Sequence, residues 1–219
     1  MSNKSKDYSF FSPLDYDKYS NLHIVFEARN KNYPYFIDKK INPDFFGKKK
    51  FIEQIPKLKP YGLWFSCGVD WFNWCMNEFP DWVTDKNFYN LILNEDKILY
   101  IKTLKQLKDF NNKYGVKKSS IDFETKKKFY FTYIKYNKIP KKYSGIKFCP
   151  YLINDLDRIS KKDSIDEFLW YYSLDAASGC IWNPDCIEKI EYGGYLPKYN
   201  GNEKKIKEKF QKILMKINK

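Results

Sequence analysis

Lys59-Pro60-Tyr61-Gly62-Leu63-Trp64-Phe65-Ser66 is a basic turn that runs directly into a short apolar strand ending on a small hydroxyl residue. Proline and glycine mark the turn, and Gly62 to Cys67 carries the apolar and aromatic run expected of a strand. Asp70-Trp71-Phe72-Asn73-Trp74 follows at once, and Asp70 is a good cap for a helix that Pro80 stops after about Phe79. A turn, strand and helix in this order can present backbone groups and a Ser hydroxyl to a ligand at the strand's C-terminal end.

On either side of this stretch the same short-strand, short-helix texture continues. Asn21 to Arg29 reads as a strand containing His23, and Lys97 to Lys102 as another. Residues 30–47 read as a loop, and Lys48 to Ile55 as one or two helical turns. Leu104 to Tyr114 places Leu104, Leu107, Phe110 and Tyr114 on one helical face, closed by Gly115. Residues 121–139 satisfy both periods: Ile121, Thr125, Phe129, Thr132 and Tyr136 form a helical face, yet 129–134 has strand composition. Tyr143 to Cys149 reads as a turn and strand. Ser164 and Glu167 have capping-box form ahead of a short helix. Ala176 to Trp182 is a further apolar strand, and Asn183-Pro184 is the N-cap and N1 pair of a helix to Ile190. Gly193-Gly194 breaks the chain. Glu203 to Asn218 is an amphipathic terminal helix with Ile206, Phe210, Ile213, Leu214 and Ile217 on one stripe. The expectation is an α+β fold with a split mixed or antiparallel sheet core and surrounding helices, in a single domain 1–219. Residues 1–20 form a lead-in, 203–218 the C-terminal helix, and 138–142 the best place for a linker.

Composition narrows the function classes. With 43% hydrophobic and 20% aromatic residues the chain is not generally disordered. No apolar run approaches the ~18 residues of a membrane span, and Met1 to Asp17 lacks the apolar centre of a secretory signal. The expected compartment is the cytoplasm, that of a host cell if the source is viral. Cys67, Cys75, Cys149, Cys180 and Cys186 are odd in number and lie in apolar segments, as buried free thiols do. Their spacings are too loose for a structural zinc site, and no metal is expected. The net charge of +13 attracts polyanions. Arginine occurs only at Arg29 and Arg158, so 38 of the 40 basic residues are lysine. That is also what an AT-rich coding sequence produces, and it leaves a solvated lysine surface and a nucleic-acid surface both open.

No glycine-rich phosphate loop, dinucleotide fingerprint or zinc-protease helix is present. His23 is the single histidine, so any imidazole chemistry must use it, although a strand histidine is also a common core residue. Gly62 to Ser66 and Ser178-Gly179-Cys180-Ile181-Trp182 are two small–apolar–Trp strands, each followed by a cap signal; their Trp rings fit either base stacking or the core. Asp175, set among Leu174, Ala176, Ala177 and Ser178, has room beside it for a ligand, or else serves a turn.

A strand with His, a glycine–apolar–aromatic strand ending in Ser, a helix, and an acid near a later strand together resemble the ADP-ribosyltransferase family, chiefly over residues 21–75. The resemblance implies a split sheet that cleaves NAD at the nicotinamide ribose, with NAD as substrate. It implies that His23 holds the ribose and that Gly62, Leu63, Trp64, Phe65 and Ser66 pack beside the nicotinamide, with Tyr61, Ser178 and Trp182 nearby. Asp175 is the implied catalytic acid, with Glu188 and Glu191 in reserve. The acceptor would be protein or nucleic acid, drawn by surface lysines. Two other readings stay open: a lysine-rich nucleic-acid-binding protein without chemistry, and a structural or interaction protein such as a viral or accessory factor.

Overall fold

The computed structural model describes residues 18–27, 36–37, 40–42, 45, 52–121, 123–159 and 165–218. Its strands are β1 (His23–Phe26), β2 (Phe36–Ile37), β3 (Lys40–Ile41), β4 (Pro56–Lys57), β5 (Leu63–Cys67), β6 (Lys86–Leu93), β7 (Ile98–Ile101), β8 (Gly115–Ile121), β9 (Lys128–Lys135), β10 (Gly145–Phe148), β11 (Ser178–Ile181) and β12 (Ile187–Leu196). Its helices are α1 (Asp70–Glu78), α2 (Leu104–Tyr114), α3 (Ile153–Ile159), α4 (Ile165–Tyr172) and α5 (Glu203–Ile217). Helices and strands are mixed, and the strands pair both parallel and antiparallel. None of the described helices is long and apolar enough to cross a membrane.

The chain forms two compact units. The first takes the described parts of 1–45, 65–93 and 187–219; the second takes those of 46–64 and 94–186. The chain therefore passes between them within β5, and residues 138–142, expected as a linker, lie inside the second unit.

In the first unit β6 lies between β12 and β1, and β1 pairs β5, all antiparallel. Every residue of β1 is buried, as in a strand covered on both faces. α1 and α5 supply aromatic rings to the core: Phe72 stacks on Phe210 at 3.9 Å, and Phe26 and Phe88 pack on the same ring at 6.1 and 5.2 Å. Asn202 caps α5 by accepting the Lys205 N–H at 3.0 Å.

In the second unit β10 lies between parallel β7 and antiparallel β11. β4, β9 and β8 form a separate antiparallel sheet. Phe110, Phe148, Trp170 and Tyr171 form the ring cluster of its core. α2 begins with a full capping box between Thr103 and Gln106. Buried Asn111 accepts the Trp170 indole N–H at 2.8 Å and donates to Glu167 at 3.0 Å, tying α2 to α4.

Several elements differ from the sequence expectation. The helix expected over 183–190 is a single 3-10 turn, Pro184–Cys186, followed by β12. Asn183 does cap that turn, accepting the Asp185 N–H at 3.1 Å, but a cap starts one turn and does not sustain a helix against a free strand edge. Gly193-Gly194 does not break the chain: β12 runs through it with a register shift between Tyr192 and Gly194. A Cβ at Gly193 would stand 2.4 Å from the Phe88 ring. Asp70 is the first helical residue of α1 and not its cap. β6 had no counterpart in the expectation, and the ambiguous stretch 121–139 resolves into strand over Lys128–Lys135. Of Lys48 to Ile55, residues 52–55 are irregular and the rest, like Ser164, lies outside the described residues.

Candidate functional site

The expected site residues fall into the two units. His23, Ser66 and the reserve acids Glu188 and Glu191 belong to the first; Tyr61, Gly62, Leu63, Trp64, Asp175, Ser178 and Trp182 belong to the second.

In the first unit, β1 holds His23 opposite Cys67 of β5, 5% exposed. Its Nδ1 lies 3.1 Å from the Leu91 carbonyl, so the ring donates there, and it meets Phe65 edge-on at 5.1 Å. The His23 backbone N–H donates to Asn90 Oδ1 at 3.0 Å. Asn90 in turn donates to Glu191 at 3.3 Å, and Lys189 pairs Glu191 at 2.7 Å. These hydrogen bonds, from Lys189 first, hold the Glu191 carboxyl below its ordinary range, so this reserve acid is a settled carboxylate linked to the His23 strand. Glu188 is exposed on β12. Ser66 is buried and its Oγ works locally: it donates to the Gly68 carbonyl and accepts the Trp71 N–H, both at 3.1 Å, which fixes the turn into α1.

In the second unit the opening turn is built tightly. Buried Gln54 clamps the Tyr61 backbone, accepting its N–H at 3.0 Å and donating to its carbonyl at 2.7 Å. The Tyr61 ring is left exposed, with Lys57 over its face and hydrogen-bonded to its hydroxyl. Gly62, at φ +154°, passes so close to β11 that an added Cβ would lie 2.1 Å from the Ile181 carbonyl oxygen. Leu63 is fully buried, and Trp64 packs against the core. Trp182 is a buried strut whose indole donates to Tyr143 O at 3.0 Å. Ser178 is buried and donates to Ala176 O at 3.0 Å. The two Trp strands thus form the scaffold, and the polar groups cluster at Asp175.

Asp175 is the centre of a three-residue turn. The Ala176 N–H donates to Leu174 O at 2.8 Å, and Asp175 takes φ +65°, the sign of the rare and strained γ-turn. Its side chain keeps 36% of its surface, and Lys59 stands 3.8 Å away. Burial raises the carboxyl above its ordinary range, with Lys59 opposing. Beside it, the Tyr151 hydroxyl donates to Tyr172 O at 3.2 Å, and the Tyr172 hydroxyl donates to Asp157 at 2.5 Å. Burial raises Tyr151 strongly, and the charge on Asp175 adds to that, so the phenol stays protonated beside the carboxylate. The constellation is a strained, partly desolvated acid with one cation and one phenol against it. Sequence reading singled out Asp175 and missed Lys59, Gln54 and Tyr151. Lys59 opens the decisive stretch, but nothing among 38 lysines marks one of them.

Comparison with protein-family models, with curated proteins and with solved structures finds no match for this chain.

Proposed function

We propose that this chain is an NAD-dependent ADP-ribosyltransferase-like protein with its reactive acid at Asp175. The observation that supports it is the γ-turn: a non-glycine residue held at positive φ costs about 1–3 kcal/mol, and such outliers gather where strain serves a ligand. Here the strained residue also carries a carboxyl that burial disfavours as the anion. Lys59 at 3.8 Å only partly offsets that cost, so further positive charge arriving beside Asp175 is favoured.

Cleavage of NAD supplies that charge. The bond from ribose C1′ to nicotinamide breaks, its electron pair goes to the pyridine nitrogen, and C1′ becomes oxocarbenium-like. Asp175 stabilises this cation in a partly dry setting where electrostatics are strong. An acceptor oxygen or nitrogen then bonds to C1′ and gives its proton to solvent. Lys59 faces the pyrophosphate, and the exposed Tyr61 ring is the nicotinamide wall. The finer fold reading, a split sheet of the ADP-ribosyltransferase type, is part of the same proposal. The site is drawn from residues of the second unit alone; His23 lies in the first.

The experiment is nicotinamide release from NAD by the purified protein. Release that falls at least a hundredfold in Asp175→Asn and clearly in Lys59→Ala, with circular dichroism unchanged, is the expected result. No release together with no thermal shift by NAD, or release indifferent to Asp175→Asn, overturns the reading.

A further inference from the structure

The hairpin of β8 and β9 carries an arrangement that the proposed site leaves unused. Ile134 and Thr132 point one way into the second unit and are buried. The alternate residues Phe129, Phe131 and Tyr133 therefore share the opposite face. Their rings touch in series, tilted at 5.6 Å from the first to the second and edge-on at 5.0 Å from the second to the third. All three are half-buried and stand outside the unit's hydrophobic core. The register places Lys118 directly across from Phe131, and Lys135 follows two residues after Tyr133 on the same face.

Charge completes the pattern. Residues 115–135 hold six lysines against two acids, Asp122 and Glu124. Three aromatic rings on alternate residues of one strand, in contact with one another at 5.0–5.6 Å, form a continuous aromatic strip of the kind on which a sheet stacks unpaired bases. Lysines along both strands match the backbone that joins those bases. An anionic membrane is the competing occupant, because Phe123 between the two strands is 87% exposed. The two acids flank Phe123 in the sequence, however, where an anionic surface would repel them, and Lys126 is folded over the Phe123 ring at 4.2 Å.

We infer that the Phe129–Phe131–Tyr133 face of the β8–β9 hairpin is a docking surface for single-stranded nucleic acid. This surface does not depend on the transferase reading, and its test contains no NAD.

The measurement is fluorescence anisotropy of a labelled dT20 strand with the full chain, against a duplex of equal length and against phosphatidylserine–phosphatidylcholine vesicles, from 50 to 200 mM salt. The expected result is preference for the single strand with log affinity falling linearly in log salt. Phe131→Ala weakens binding on the order of tenfold and leaves the slope unchanged, since stacking releases no counterions. Lys118→Gln with Lys135→Gln lowers the slope by about 1.4, at ~0.7 for each phosphate that is no longer neutralised. Phe131 lies outside the core, and circular dichroism confirms that the variant is folded. Equal binding of duplex and single strand with no effect of Phe131→Ala would reduce the surface to unspecific lysine attraction and overturn the inference. Absence of binding, or binding to vesicles alone, overturns it as well.

Discussion

At Asp175 the physics of one residue sets stability against function. Its carboxyl is raised in the folded chain, so the folded state holds the proton more tightly than the unfolded state does. The stabilisation from this group is therefore full at pH below the ordinary carboxyl range and is lost as pH rises through the higher folded value. Asp175→Asn removes that loss, and Asn tolerates positive φ as Asp does. The variant is expected to melt higher than the parent at pH 7, with the gain vanishing as pH falls through the carboxyl range; melting curves at pH 3.5, 5 and 7 check this. A parent that melts higher at pH 7 would mean that the Lys59 pair outweighs desolvation and that Asp175 is a structural acid. The small neighbours of Asp175 are visible in the sequence, and they are what leaves space beside it. The γ-turn is not visible there, because Asp tolerates positive φ without requiring it and its surroundings decide whether it is used.

Among the elements, legibility followed how much of each structure is local. α2 was read to its final residue, because a capping box and an apolar stripe lie within a few turns of one helix. α5 was read equally well from its own stripe. β6 and β12 were missed or misread, since their pairing spans about a hundred residues and composition does not reveal a distant partner. The hairpin stretch 121–139 satisfied two periods at once, and the choice fell to strand where Ile134 and Thr132 found a core to face. Between α2 and α4 the structure makes a ranked prediction. Asn111→Ala leaves the buried Trp170 indole N–H unpaired and costs about 2 kcal/mol. Thr103→Ala removes only an exposed cap and costs about 1 kcal/mol. Urea midpoints of the two variants, with Trp fluorescence as the probe, should fall in that order; equal midpoints would show that water replaces Asn111 at the indole.

The molecule as a whole combines two cores with five buried thiols. Burial holds Cys180 well up and pushes Cys186 to about 12, so neither is a thiolate at neutral pH. Iodoacetamide is expected to modify none of the five in native protein and to reach them only as denaturant opens each unit. Peptide mapping reads Cys67 and Cys75 for the first unit and Cys149, Cys180 and Cys186 for the second; rapid native labelling at any site would contradict the burial. The order of segments has a further consequence for synthesis on the ribosome. The rings of Phe26, Phe72 and Phe88 emerge early, but Phe210, which stacks on Phe72, follows only after roughly 120 more residues. At roughly 5–20 residues per second that is an interval of about 6–24 s. Throughout it the nascent chain presents an unfinished aromatic surface, which makes its first half a natural client for chaperones that bind at the tunnel exit.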